Sequence, residues 1–106
     1  MYIIETVSWD AKPDITDKQM IDAIEAMIPD LNALPGFRYQ SLSKNENGRW
    51  IEIYYWDTAE DAHRSNDLMA EKASLQQLLP LIDMNSLNIE VLVPLQESRA
   101  LKIALP

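Results

Sequence analysis

An Asn-Gly turn joins two strand-like segments in the middle of the chain. Residues 37–43 lie before the turn and residues 50–56 after it, and the second segment is rich in aromatic and β-branched side chains. Asn47-Gly48 supplies the positive φ angles that a tight hairpin needs. The two segments are therefore predicted to pair antiparallel, which commits the middle of the chain to a β-sheet.

A helix is predicted before this hairpin. Thr16 and Gln19 have the spacing of a capping box, in which each residue satisfies a backbone N–H near the other. Pro29 should kink or end the helix near Ile28, because proline has no N–H to donate. Apolar residues recur at helical spacing through the segment: Met20, Ile24, Met27, Ile28 and Leu31.

A second helical segment follows the hairpin, and its apolar register changes part-way along. Thr58 is its predicted N-cap. The change of register predicts a break, with one helix over about 58–72 and a short one over about 75–82. Ser74 and Gln77 have the spacing of a second capping box, which would begin the short helix.

Two further strands are predicted near the ends of the chain, at residues 2–9 and 87–94. In the last of these, Leu87, Ile89, Val91 and Val93 share one face. The resulting order, βαββαβ, predicts an α+β fold of ferredoxin-like type. That fold is one four-stranded antiparallel sheet with the helices on one face.

Alternation assigns aromatic and charged side chains to the sheet face that the helices leave open. Within residues 50–56, the even-numbered residues point one way and the odd-numbered residues the other. A large exposed aromatic patch marks an interface or a ligand site, although cross-strand aromatic pairs also stabilise a sheet with no further role. The predicted open face contains Glu5, Val7, Trp9, Arg38, Gln40, Leu42, Trp50, Glu52, Tyr54, Trp56, Asn88, Glu90 and Leu92.

The composition excludes several classes of function. The 106 residues fit a single domain, and the absence of cysteine excludes a disulfide framework, thiolate catalysis and cysteine-bound zinc. A net charge of −8 argues against binding to nucleic acid. Two glycines cannot build a nucleotide-binding loop, and one histidine cannot build an all-histidine metal site. No segment has the pattern of a membrane span or a signal peptide, so the cytoplasm is the expected location.

Two short motifs resemble those of a known superfamily. They are Leu34-Pro35-Gly36-Phe37, which closes the first helix into the second strand, and residues 53–62, which run from the third strand into the second helix. The chain resembles the dimeric α/β-barrel superfamily and, within it, antibiotic-biosynthesis-monooxygenase-like domains. The resemblance implies a homodimer whose two sheets meet face to face around a core of about residues 2–94. Residues 95–106 would then reach across to the partner, with a frayed terminus as the alternative. From the sequence alone, residues 100–105 are also a candidate for a short fifth strand.

The resemblance also implies functional positions, and the sequence matches them in part. Trp56 matches the tryptophan that these proteins have near the end of strand three. Thr6 or Ser8 stands where many members have a strand-one asparagine. Asn66 stands where haem-degrading members have a histidine, and His63 comes three residues early. These departures argue against haem ligation.

The sequence supplies a small set of candidates for chemistry. His63 is a candidate general base, since histidine titrates near neutral pH, and Asn66 is a candidate for orienting a ligand. Glu5, Glu52 and Glu90 are predicted to crowd on one face, where their pKa values would rise. In each case an ordinary structural role is the alternative. The predicted catalytic residues are His63, Trp56 and Tyr54, and the predicted ligand-binding residues are Arg38, Glu52, Asn66 and Glu5.

Two functions follow as hypotheses. The first is an oxygenase without cofactor or metal that acts on a small aromatic or quinone-type substrate, with Tyr54 and Trp56 stacking on it. In that scheme Arg38 would hold an oxygen, and His63 or Glu52 would move a proton. The alternative is a non-catalytic module that binds a small molecule or a partner on the same scaffold. A pocket filled by Trp50, Trp56 and Tyr54 packing on one another would exclude the enzyme.

Overall fold

A computed structural model describes residues 2–102 of the chain. Its element order is β1 (Ile3–Ala11), α1 (Asp17–Glu25), α2 (Ile28–Asn32), β2 (Phe37–Lys44), β3 (Trp50–Trp56), α3 (Ala59–Ala70), α4 (Ala73–Leu78) and β4 (Ile82–Leu92), with a 3₁₀ turn over Leu79–Leu81. The strands form one antiparallel sheet in the order β2-β3-β1-β4. This confirms the predicted ferredoxin-like α+β fold.

The first helix begins as its capping box predicts. The backbone N–H of Gln19 donates to Thr16 Oγ1 at 3.1 Å, and the Thr16 N–H donates to Gln19 Oε1 at 2.8 Å. The break falls at residues 26–27, earlier than Ile28. Pro29 lies in the first turn of α2, where a missing N–H removes no helical hydrogen bond.

The break in the second helical segment is confirmed, but its predicted capping box is wrong. Lys72 is the N-cap of α4, and it makes no capping hydrogen bond through its side chain. The Ser74 hydroxyl instead donates to Asp30 Oδ2 at 2.6 Å, which ties α4 to α2. A tertiary contact has therefore taken the group that local spacing assigned to a cap.

The central hairpin forms as predicted, although Gly48 has a positive φ and Asn47 does not. Gly48 has a φ of 81°, and its N–H donates to the Asn45 carbonyl at 3.0 Å. The Asn45 N–H donates in turn to the Arg49 carbonyl at 2.9 Å, which closes the loop. Only glycine adopts this backbone region without strain.

The strand register corrects the predicted faces of the sheet. Glu5 pairs with Tyr54, Trp9 with Trp50, and Leu42 with Glu52, so alternation groups these residues correctly. However, this face is buried beneath the helices and is not the open one. The prediction was wrong because Ile51 and Ile53 made the opposite face the more apolar of the two. The residues corrected to the helix-covered inner face are Glu5, Val7, Trp9, Gln40, Leu42, Trp50, Glu52, Tyr54 and Trp56.

The outer face of the sheet carries a different set of side chains. Glu90 pairs with Thr6 there, so it lies on the opposite side of the sheet from Glu5 and does not join the predicted glutamate cluster. Tyr55 packs between Tyr2 and Tyr39, with ring centroids 5.3 Å and 5.6 Å away. The structure leaves this face uncovered by helices, and Tyr39 is 48% exposed.

The C-terminal segment contains no strand between residues 95 and 102. The rest of the predicted fifth strand, at 103–105, lies outside the described residues. Tyr2 donates a hydrogen bond to Glu97 at 2.9 Å, which holds this segment beside β1. Within residues 2–102, every helix is too short or too polar to cross a membrane.

Candidate active site

A cavity of about 140 Å³ lies between the inner face of the sheet and the helices. Leu31 of α2, Met69 of α3 and Met27, between α1 and α2, form much of its apolar wall. The strands contribute its aromatic and acidic side chains. Those strand residues are Glu5, Val7, Trp9, Glu52, Tyr54, Trp56, Ile82, Leu87 and Ile89.

Glu52 is a buried carboxyl in this cavity and is 2% exposed. Its Oε2 accepts hydrogen bonds from the Tyr54 hydroxyl at 2.7 Å and from Gln40 Nε2 at 2.9 Å. Burial raises the pKa of Glu52 to about 7, and the charge of Glu5 adds to the rise, whereas the two hydrogen bonds oppose it. Glu52 therefore exchanges a proton at neutral pH.

Glu5 is the second buried carboxyl and is 1% exposed. Its Oε1 accepts a hydrogen bond from the Trp56 indole N–H at 3.0 Å. Burial raises the pKa of Glu5, while Trp56, Asn66 and the charge of His63 lower it. Asn66 approaches this carboxyl, but no residue of the described chain closes a hydrogen bond to Oε2.

Three aromatic rings form one wall of the site. Tyr54 and Trp56 stack with centroids 5.8 Å apart and planes 20° apart, and Phe37 packs edge-on against both. Burial and the nearby carboxylate of Glu52 raise the pKa of Tyr54 well above its ordinary value, so its hydroxyl remains a donor. The rings leave the cavity open beside them. Trp50 does not line it and instead lies under the Lys44 ammonium, 4.9 Å from it.

The structure brings five of the seven predicted site residues to this cavity: Glu5, Glu52, Tyr54, Trp56 and Asn66. His63 is exposed on α3 and does not line it. Arg38 also lies outside, where its guanidinium donates to both carboxylate oxygens of Asp57 at 2.6 Å and 2.9 Å. A bulge in β2 separates Arg38 from the inner face, so the structure does not bring it to the cavity.

Two cavity-lining residues that carry a polar side-chain nitrogen or oxygen, Trp9 and Ser65, were given no site role from the sequence. Trp9 shares the period-two spacing of Glu5 and Val7 along β1, so alternation carried the signal. Ser65 donates its hydroxyl to the Ala62 carbonyl at 2.6 Å within α3. No periodicity separates such a helix-bonded serine from an ordinary surface serine.

Comparison with known proteins identifies the fold. No protein-family model matches the chain, and no curated protein matches it in sequence. Among solved structures it is similar to SnoaB, a cofactor-independent oxygenase from Streptomyces nogalater, with a TM-score of 0.72, 10% identity, and coverage of 93% of this chain and 98% of that one. A protein from Chloroflexus aurantiacus, provisionally assigned as an antibiotic biosynthesis monooxygenase, has a TM-score of 0.65 and 17% identity, with coverage of 93% of this chain and 98% of that one. A dimeric ferredoxin-like protein of unknown function from Thermobifida fusca has a TM-score of 0.68 and 14% identity, with coverage of 89% of this chain and 92% of that one.

The chain has a ferredoxin-like α+β fold that is similar to the folds of these three proteins. At these identities the likeness extends to the fold alone, because one fold hosts many activities. The chemistry must be argued from the cavity.

Proposed function

We propose that this protein is a cofactor-independent oxygenase that acts on a small aromatic or quinone-type substrate in the cavity between sheet and helices. One observation supports this most strongly. Glu52 is a carboxyl with a pKa of about 7 inside an aromatic-lined cavity. A general base works best when its pKa lies near the operating pH. The fold of SnoaB, a cofactor-independent oxygenase, supports the same class of reaction.

The size of the cavity limits the substrate. Its volume is about 140 Å³, and an engineered apolar cavity of about 150 Å³ holds one benzene molecule. The proposed substrate is therefore a single ring with small substituents. Tyr54 and Trp56 offer it a flat apolar wall, as aromatic side chains do for planar ligands.

The proposed reaction needs only a proton acceptor from the protein. Glu52 takes a proton from the CH₂ beside the carbonyl in the keto form of a phenol. The resulting carbanion gives its electrons to dioxygen, a carbon–oxygen bond forms, and Glu52 returns the proton to the peroxide. The oxygen–oxygen bond then breaks with loss of the second proton from that carbon, which leaves a quinone and one water. The phenol is oxidised by four electrons and dioxygen is reduced by four.

A homodimer is part of the proposal. The dimeric neighbour from Thermobifida fusca supports it, as does the uncovered outer face of the sheet with its row of tyrosines. Light scattering should give about twice the chain mass of 12.2 kDa. A particle of the single-chain mass would contradict this part.

A non-catalytic binding module is the alternative, and one observation favours it. No lysine, arginine or histidine lines the cavity in the described part of the chain, so no cation is placed to stabilise an oxyanion. In this case the cavity would hold a ring without converting it.

Oxygen uptake with a panel of phenols and hydroquinones separates the two functions. We expect uptake above buffer for the wild type, loss of uptake in Glu52→Gln, and retention in Glu90→Gln, which changes an exposed glutamate on the outer face. Retention in His63→Ala is also expected, because His63 is exposed. Absence of uptake for the whole panel, together with calorimetric binding of a ring, would replace the oxygenase by the binding module.

A further inference from the structure

Two buried polar atoms of the cavity side chains have no hydrogen-bond partner among residues 2–102. They are Oε2 of Glu5 and Nε1 of Trp9. Both residues line the cavity, and their exposed fractions are 1% and 0%. A buried polar group without a partner costs about 1–3 kcal/mol. Native proteins leave few such groups, so each of these calls for an explanation, and a bound ligand supplies one.

The chemistry of the two atoms specifies the groups that would satisfy them. An indole N–H only donates, so Trp9 requires an acceptor such as a carbonyl oxygen. A carboxyl oxygen accepts when ionised and donates when protonated. A hydroxyl group can pair with Glu5 in either state, since it both donates and accepts.

The two residues are well separated along the stretch of β1 that lines the cavity. They are four positions apart on β1, which corresponds to about 13 Å of strand. Val7 lies between them on the same face and lines the cavity, so this stretch of β1 is apolar. Glu52, which pairs with Val7 on β3, lines the cavity beside it. One ligand that meets both atoms must carry its polar groups on opposite sides of an apolar ring.

The charge of the site limits the ligand further. Glu5 and Glu52 are the ionisable carboxyls of the lining, and no basic side chain of the described residues joins them there. A carboxylate or phosphate ligand would add a negative charge to a buried acidic site whose lining offers no basic side chain to pair with it. An anionic ligand is therefore disfavoured.

We propose that the cavity selects an uncharged single-ring phenol that carries a carbonyl group on the far side of the ring, with its hydroxyl at Glu5 and its carbonyl oxygen at Trp9. This inference deepens the proposed function, since it names the substrate class of the same cavity. It concerns binding alone, so it stands or falls separately from the oxygen chemistry.

Isothermal titration calorimetry at about pH 6, where simple phenols are neutral, tests the proposal with five probes. They are 4-hydroxybenzaldehyde, phenol, benzaldehyde, 4-hydroxybenzoate and benzylamine. We expect 4-hydroxybenzaldehyde to bind tightest, and each single-group analogue to bind about tenfold more weakly, as the loss of one hydrogen bond implies. Tighter binding of the anion 4-hydroxybenzoate or the cation benzylamine would overturn the proposal.

A matched pair of variants tests the Trp9 contact. Trp9→Phe keeps an aromatic ring and removes the N–H, so it should weaken 4-hydroxybenzaldehyde about tenfold and leave phenol unchanged. Trp50→Phe, at a tryptophan outside the cavity, should change neither. Equal losses for both ligands, or no loss, would contradict the assignment. If Trp9→Phe does not fold, the ligand panel on the wild type decides the question.

The outcomes also separate this inference from the oxygenase. Selective binding without oxygen uptake would support the ligand class and reject the enzyme. Oxygen uptake on other phenols, with no preference for the carbonyl-bearing ring, would support the enzyme and reject the ligand class.

Discussion

Replacing Glu52 by glutamine separates the cost of burying its charge from the hydrogen bonds that hold it. The glutamine oxygen can accept the bonds from Tyr54 and Gln40, so the packing is retained. In the wild type, the pKa of Glu52 rises from 4.5 to about 7 on folding, mainly through burial. The folded state thus holds this proton more tightly than the unfolded state, and this residue's contribution to stability falls as the pH rises between these two values.

The size of the effect follows from the pKa. Each pKa unit corresponds to about 1.4 kcal/mol, so ionisation of Glu52 should lower the free energy of unfolding by about 3 kcal/mol between acidic pH and pH 8. Glu52→Gln has no charge to bury and should escape this loss. The variant should match the wild type near pH 4 and exceed it by up to about 3 kcal/mol near pH 8.

Urea denaturation at a series of pH values measures this difference. Subtracting the wild-type curve from the variant curve cancels the shared carboxyls that lie away from Glu52, whereas Glu5, whose charge interacts with Glu52, contributes to the difference. Glu90→Gln, on the exposed outer face, should follow the wild type at every pH. A difference between Glu52→Gln and wild type that stays constant with pH, or that reverses in sign, would refute the assignment of a buried proton to Glu52.

Three further predictions concern the frame of the site. Gly36→Ala should lower the melting temperature much more than Gly48→Ala. Both glycines have positive φ, but a Cβ at Gly36 would clash with the Asp61 side chain, whereas a Cβ at Gly48 would lie an ordinary 3.9 Å from Lys44 Cε; equal losses would contradict the packing of α3. Thr16→Ala should cost about 1 kcal/mol of unfolding free energy by removing the cap of α1, and a neutral result in urea denaturation would show that the cap contributes little. Arg38→Ala should leave ligand affinity unchanged in calorimetry, because this side chain lies outside the cavity. A loss of affinity of more than about tenfold would show that Arg38 contributes to binding.

Local signals predicted most of the fold. The capping box at Thr16, the Asn-Gly turn and the break near residue 72 each depend on residues close in sequence, and all three appear in the structure. The Ser74 cap failed because Asp30, 44 positions away, takes its hydroxyl. Local spacing carries no information about such a competitor.

The sequence predicted which site residues share a face of the sheet, but it assigned that face to the wrong side. Alternation correctly placed Glu5, Glu52, Tyr54 and Trp56 on one face. That face was then assigned to the outside because the opposite face has more apolar residues. The structure buries these carboxyls because Gln40 and Trp56 supply hydrogen bonds across strands and Tyr54 supplies one along β3. A single sequence does not reveal those partners until the strand register is known. For the same reason, the sequence did not predict the register of β4 against β1, which places Glu90 and Glu5 on opposite faces.

The proposed function and substrate class both require that small aromatic ligands enter the cavity between sheet and helices. The three tryptophans give three indole N–H signals in a ¹H–¹⁵N spectrum, and Trp→Phe variants assign them. Titration with 4-hydroxybenzaldehyde should shift the signals of Trp9 and Trp56, which line the cavity, and leave that of Trp50 in place. A shift of Trp50 alone, or no shift of Trp9 at saturation, would contradict the claim.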